Sequence, residues 1–460
     1  MSDVGAGGRD PSRPYGPPRV IDRVCVYGLW HLGCVTAACL AAEGMPVMGL
    51  DLDRERVAAL RDGHPPIAEP GLAELVQAGL TARTLQFTDD PSEALSRANV
   101  LWIAFDTPVD DDDRADPAWV RGRLEAIRPA VQAGTLVIVS SQVPVGFTAA
   151  LERAWRRTDP SLRFACAPEN LRLGRAIEAF RQPERVVLGL GEGTDREVLA
   201  DLFQPFCGRI EWMTLHSAEM TKHALNGFLA LSVAYTNELA RICERAGADA
   251  SEVERGLRSE PRVGPRAYVS PGSPIAGGTL ARDVAFLAQL AAEHGQPSPI
   301  MDAIRASNRL HQAWARERVL ELAGDVREAR VALLGLTYKP GTDTLRRSSA
   351  LELGRWLAVQ GFVVRAYDPA IQPVSAYRDA PLLANVELAA SLDEALRDAD
   401  VAVLATAWPE FRALQPDDLV RRMRHPRLVD EAGFLPHLAD DPRLTYVRVG
   451  RPISREELER

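Results

Sequence analysis

A chain of 460 residues is too long for one hydrophobic core, so two or three domains are expected. With 46% hydrophobic and 25% charged residues it has the make-up of an ordinary soluble protein, and a net charge of −9 argues against a nucleic-acid partner without excluding nucleotides. Six scattered cysteines with no C-x-x-C pair suit a reducing compartment and no zinc site, and no run of about eighteen apolar residues proposes a membrane span, so the cytoplasm is the expected location.

Residues 1–19 are rich in Gly, Pro and Arg and are expected to be disordered. Arg23 to Gly33 then runs from a short apolar strand into a glycine turn. A helix from Cys34 to Glu43 and a second strand, Val47 to Asp51, complete a βαβ unit with an acid at its tip. This is the layout of a dinucleotide site, with pyrophosphate on the helix N-terminus and the carboxylate on the ribose. Gly28 and Gly33 keep two of the three glycines of the pattern, while Trp30 fills the middle place, so a plain βα turn is the competing reading. Asp51 and Arg56 tilt the balance towards a cofactor, and Asp51 favours NAD because it would repel a 2′-phosphate.

Two further buried strands follow, Val100 to Pro108 and Thr135 to Pro144, with Thr107 and Gln142 at their C-terminal ends. Strands alternating with helices indicate a parallel sheet whose ligands sit at those ends. The acidic run Asp110 to Asp113 reads as a solvated loop rather than a metal site. Next, Phe164 leads into Pro168-Glu169, where Glu169 is either a general base or a helix-terminal acid.

Glu219 to Cys243 reads as one long helix, with apolar residues at Met220, Ala224, Leu225, Phe228, Leu231, Leu239 and Ile242. Lys222 and Asn226, four apart, share a face. They are either a site or a snorkelling lysine beside a core asparagine. Pro271 to Gly278 holds too many glycines and prolines for a regular element, so a loop is expected, with a helix from Val284. Arg330 to Asp343 opens a second βαβ unit, its helix near Ser348 to Gln360 and its next strand ending in Asp368, with Val401 to Thr406 as another strand. Lacking the three-glycine turn, this unit reads as a nucleotide-binding relative of the first.

These parts, in this order, resemble the nucleotide-sugar 6-dehydrogenase family, the UDP-glucose and GDP-mannose dehydrogenases. The resemblance covers about residues 21 to 450. It rests on the turn at Gly28, Thr107-Pro108, Val143-Pro-Val-Gly146, Pro168-Glu169, Lys222-x-x-x-Asn226-x-Phe228-Leu229-Ala230, Arg262-Val-Gly264, Gly277-Gly278-x-x-x-x-Asp283 and Tyr338-Lys-Pro-x-Thr342-Asp343-x-x-Arg346. It implies an α/β fold of two Rossmann-like, doubly wound parallel-sheet domains joined by a long central helix. The expected division is 21–214, 215–325 and 326–460. It further implies NAD in the first domain, a nucleoside diphosphate sugar between the domains, and a homodimer or larger assembly through the central helix. Lys222 and Asn226 match the pair that stabilises oxyanions, Asp283 the acid that holds the lysine and a water, and Glu169 the acid that assists hydrolysis. The turn residues Leu29, Trp30, His31 and Leu32, together with Thr107, Gln142 and Arg346, match cofactor contacts. Asn170, Leu171, Arg172, Arg262, Ile275, Gly277 and Lys339 match substrate contacts, Arg262 reaching the substrate of a neighbouring subunit.

One departure bears on the chemistry. The family holds its aldehyde on a cysteine four residues before the aspartate, and here Thr279 stands in that place. A threonine hydroxyl is far less acidic than a thiol and is hindered by its branch. Leu173 also replaces an expected second acid, and Gln142 an expected threonine. An enzyme working without a thioester is therefore expected. It would release an aldehyde, return the hydride in a redox-neutral cycle, or reach the acid through an aldehyde hydrate. A pseudoenzyme that binds nucleotide sugar and cofactor is the alternative.

Overall fold

The strands of the first half are short, continuous apolar runs, as expected for strands buried on both faces. The computed structural model describes residues 21–108, 115–169, 171–276, 278–324, 328–337, 339–343, 345, 348–371, 383 and 385–453. The N-terminal tail, Asp110 to Asp113, Asn170, Gly277, Tyr338 and Arg346 lie outside those residues. The chain divides into two units, Met1–Pro108 with Asp116–Met220, and Val109–Ala115 with Thr221–Arg460.

The first unit is built on β1 (Val24–Tyr27), β2 (Val47–Leu50), β3 (Leu85–Thr88), β4 (Val100–Ile103), β5 (Leu136–Val139), β6 (Arg163–Cys166), β7 (Val186–Leu190) and β8 (Ile210–Thr214). They lie in the order β3-β2-β1-β4-β5-β6-β7-β8. The first six run parallel; β7 is antiparallel to β6, and β8 is parallel to β7. β1 pairs with β2 on one side and β4 on the other, so the chain reverses its winding there. A crevice at the strand ends, which suits a ligand, follows from that reversal. The helix after β1 spans His31–Ala42 and is buried from Leu32 to Ala41, being apolar on every side. It begins at His31 instead of Cys34, so its N-terminus meets the glycine turn directly.

In the second unit β9 (Arg330–Leu334), β10 (Val363–Tyr367), β11 (Glu387–Leu388), β12 (Val401–Leu404), β13 (Arg427–Asp430) and β14 (Thr445–Arg448) form a sheet in the order β11-β10-β9-β12-β13-β14. All its pairings are parallel. The central helix is longer than its apolar pattern implied, spanning Leu215–Ala246. The helix expected from Val284 starts at Thr279 and runs to Glu293. Gly278, at φ +115°, supplies the bend before it, so Thr279 is a first-turn helical residue and not part of the loop.

Candidate functional site

In the first unit the site is assembled at the turn after β1. Gly28 sits at φ +97°, and a Cβ there would come within 2.5 Å of the Phe105 ring. At Gly33 a Cβ would stand 1.6 Å from the Gly28 carbonyl oxygen, so only glycine lets the helix press onto the turn. Trp30 needs no such freedom, having φ −92°. Its indole turns outward, 42% exposed, beneath the Arg56 guanidinium at 5.2 Å. That contact contributes about 0.5–1 kcal/mol at so exposed a place. Asp51 is buried; its Oδ2 accepts from Leu29 N and Arg56 Nη1, both at 2.8 Å, and its Oδ1 accepts from Asp53 N at 3.0 Å. Three donors on a carboxylate with about four acceptor positions leave room for a hydroxyl.

Two acids that sequence reasoning missed also meet this turn. Asp106, three residues past β4, accepts from Leu32 N at 3.1 Å. Buried Glu69 accepts from Gly174 N and Ala176 N, each at 2.8 Å, and lies 2.9 Å from His31 Nε2. It thereby ties the turn helix to the segment that follows Glu169. Thr107 Oγ1 donates to the Gln142 carbonyl at 2.7 Å, so these two strand-end residues do meet. Glu169 accepts from Leu171 N at 2.5 Å, closing its own loop. The next helix begins only at Ala176, which removes the reading of Glu169 as a helix-terminal acid. Glu169 borders an open cleft that it lines with Trp102, Ser140, Phe180 and Arg185. Arg172 contributes its carbonyl to Arg175 N. Glu219 is held at Gly146 N (2.6 Å) and Thr148 N (2.9 Å), so it caps the helix Phe147–Arg156. Burial raises its pKa against those two bonds.

In the second unit Lys222, His223 and Asn226 are buried on the central helix, and Asp283 is fully buried on the helix after the loop. Asp283 Oδ2 accepts from Asn226 Nδ2, and Asp283 Oδ1 lies 2.6 Å from His223 Nδ1. A carboxylate buried without partners would cost several kcal/mol, and these two contacts answer much of that cost. Thr279 precedes Asp283 by one turn on the same face. The two helices pack closely at Gly227, where a Cβ would lie 2.8 Å from Leu287 Cδ1. The loop before Thr279 is clamped by side chains. Asn237 Oδ1 accepts from Gly272 N at 2.8 Å, Asn308 pairs with both backbone groups of Ile275 at 2.8 and 3.0 Å, and His311 Nε2 lies 2.7 Å from the Gly272 carbonyl. Burial lowers the His311 pKa to about 4, so this imidazole is neutral near pH 7 and donates from Nε2. Lys339 presents its carbonyl to Thr342 Oγ1 at 3.1 Å. Arg262 is exposed and pairs with Glu260 at 2.8 Å.

Three domain models match this chain in order. They are the NAD binding domain of the UDP-glucose/GDP-mannose dehydrogenase family over residues 22–207, its central domain over 216–310 and its UDP binding domain over 332–437. The chain belongs to the UDP-glucose/GDP-mannose dehydrogenase family. Among relatives, it is 36% identical to a UDP-glucose 6-dehydrogenase of Pseudomonas aeruginosa, over 94% of this chain and 98% of that one. To a UDP-glucose 6-dehydrogenase of Rhizobium meliloti it is 34% identical, over 94% and 100%. Its fold is similar to that of a UDP-glucose dehydrogenase from Pyrobaculum islandicum, with a TM-score of 0.82 at 28% identity, covering 95% of this chain and all of that one.

As a member of this family the chain is expected to hold NAD, and the first unit fits it. The turn presses against a helix N-terminus that has no side-chain cap from Trp30, and Asp51 keeps acceptor capacity for a ribose hydroxyl. Leu32 N is the exception, because Asp106 already holds it. All six cysteines of this dehydrogenase-family chain are buried. Burial raises the pKa of Cys25, Cys34, Cys39 and Cys166, which keeps those thiols protonated and unreactive. No cysteine stands in the loop or in the first turn of the helix that carries Asp283.

Proposed function

We propose that this chain is an NAD-dependent nucleotide-sugar dehydrogenase that oxidises the sugar C6 hydroxyl without forming a thioester. The observation that carries this reading is the buried group of Lys222, Asn226 and Asp283 with Thr279, not a thiol, one turn before the acid. The two relatives named above are UDP-glucose 6-dehydrogenases, which supports UDP-glucose as the first substrate to try. NAD, when bound, supplies the hydride acceptor. Lys222 and one Asn226 N–H stabilise the oxygen that becomes negative as the hydroxyl loses its proton. Glu169 orders water beside the carbonyl product, and Thr279 fills the space a nucleophile would need. Lys339, Arg262, Arg346, Ile275, Gly277 and the segment Asn170 to Arg172 serve the nucleotide sugar. Gly28 to Gly33, Asp51, Arg56, Thr107 and Gln142 serve NAD.

The division at 21–214, 215–325 and 326–460 and a cytoplasmic location belong to the same reading, the latter supported by the buried free cysteines. A homodimer through the central helix is supported by Phe228, Leu231, Tyr235 and Ile242. These recur at helical spacing and are exposed by 63, 38, 54 and 56%.

Counting NADH formed per UDP-glucose consumed tests the chemistry. One equivalent with an aldehyde product is expected; none with an altered sugar means a redox-neutral cycle. Two equivalents, with a covalent ester trapped on Thr279, would overturn the absence of an acyl-enzyme. Thr279→Cys should trap an adduct with a confirmed substrate. A pseudoenzyme is the second reading, favoured by Trp30 in the turn and by Asp106 on Leu32 N. Binding without turnover across a panel of nucleotide sugars would establish it.

A further inference from the structure

His223 has no part in the chemistry above, yet it is as buried as the residues that do. It follows Lys222 directly on the central helix, and its Nδ1 lies 2.6 Å from Asp283 Oδ1. The other oxygen of Asp283 accepts from Asn226 Nδ2. An acid that accepts on both sides requires the imidazole Nδ1 to carry its hydrogen. The ring is held as well. Phe286 meets it at 5.0 Å between centroids and 79° between planes, an edge-to-face contact. His223, Asp283 and Asn226 therefore form one chain of side chains, anchored at its far end by packing.

That chain has a consequence for Asn226. A carboxamide has two N–H donors and one acceptor oxygen. With one N–H directed at Asp283, the amide cannot flip without setting its carbonyl oxygen against a carboxylate, which is repulsive. Its second N–H is then the group left to face a substrate. Asp283 can impose this only while its own plane is fixed, and the contact of His223 with the opposite oxygen helps to fix that plane.

We propose that His223 is a positioning residue for the sugar oxidation. By locking the Asp283 carboxylate, it holds the Asn226 amide with its second N–H presented to the oxygen that gains negative charge. This rests on the functional reading above and assigns His223 no contact with substrate.

The test compares the full-length wild type with His223→Phe and His223→Asn. Phenylalanine keeps a ring against Phe286 and removes the donor; asparagine restores an N–H near the place of Nδ1. His223→Phe should lower kcat between about tenfold and a hundredfold, because a supporting bond is lost and not the oxyanion donor itself. KM should stay within about threefold, and His223→Asn should recover much of kcat. Independently of turnover, ¹⁵N spectra of histidine-labelled protein should show His223 protonated at Nδ1, with that signature altered in Asp283→Asn. The role is overturned if His223→Phe keeps wild-type kcat, if both variants lose kcat only in step with melting temperature, or if Nδ1 carries no proton. A wild type that reduces no NAD with any nucleotide sugar overturns the functional reading. An active wild type with an equally active His223→Phe overturns only the role of His223.

Discussion

The two sheets of this chain share the order 3-2-1-4-5-6 over corresponding strands, and each places an acid after its second strand. Asp51 and Asp368 hold the same topological position and do different things. Asp51 accepts three bonds and keeps a free acceptor position beside a turn that leads straight into a helix. Asp368 is more deeply buried, and its Oδ2 alone accepts from Leu336 N (2.7 Å), Thr337 N (2.9 Å), Thr337 Oγ1 (3.1 Å) and Trp408 Nε1 (3.0 Å). Its Oδ1 takes Ala370 N at 2.9 Å. Among the described residues the next helix after β9 is Ser349–Val359, so no described helix N-terminus follows this turn directly. On the same fold, one acid thus keeps acceptor capacity that a ligand can use, while the other spends its capacity on the protein itself.

Removing each acid should separate the two roles. Asp368→Ala leaves the Leu336 and Thr337 amides and the Trp408 indole without their acceptor, and should cost about 3–5 kcal/mol of stability in the second sheet. Hydrogen exchange along β9, β10 and β12 would show it, and unchanged protection would refute the structural assignment. Asp51→Ala should instead weaken NAD binding roughly thirtyfold, about 2 kcal/mol, as read by titration calorimetry. An unaltered affinity would mean that Asp51 is another structural acid. The smallest effect belongs to Asp106→Asn. Removing a carboxylate from Leu32 N, where the pyrophosphate of NAD should lie, should tighten NAD binding about fivefold, or about 1 kcal/mol. Weaker binding in that variant would show that Asp106 assists the cofactor.

What could be read along the chain was what local rules encode. Apolar runs marked the strands, and Gly28 and Gly33 marked the turn because sterics allow no other residue there. The spacing of Lys222 and Asn226 placed them on one helical face. The start of the helix at Thr279 was missed, because the glycines and prolines before it obscured a segment whose own residues are helix-compatible. His223, Glu69, Asp106 and Asn308 carried no local signal. Their partners stand 60, 105, 74 and 33 residues away, at Asp283, Gly174, Leu32 and Ile275.

The amino-acid order by itself determined the two βαβ units, the place of the turn, the acids at the strand tips and the absence of a thiol before Asp283. Each of these is a matter of residue type at short range. Only the tertiary structure decided how many donors each acid receives, that Trp30 lies under Arg56, and that His223 closes a chain through Asp283 to Asn226. Hydrogen-bond capacity is consumed by whatever the fold brings near, and sequence spacing does not record that.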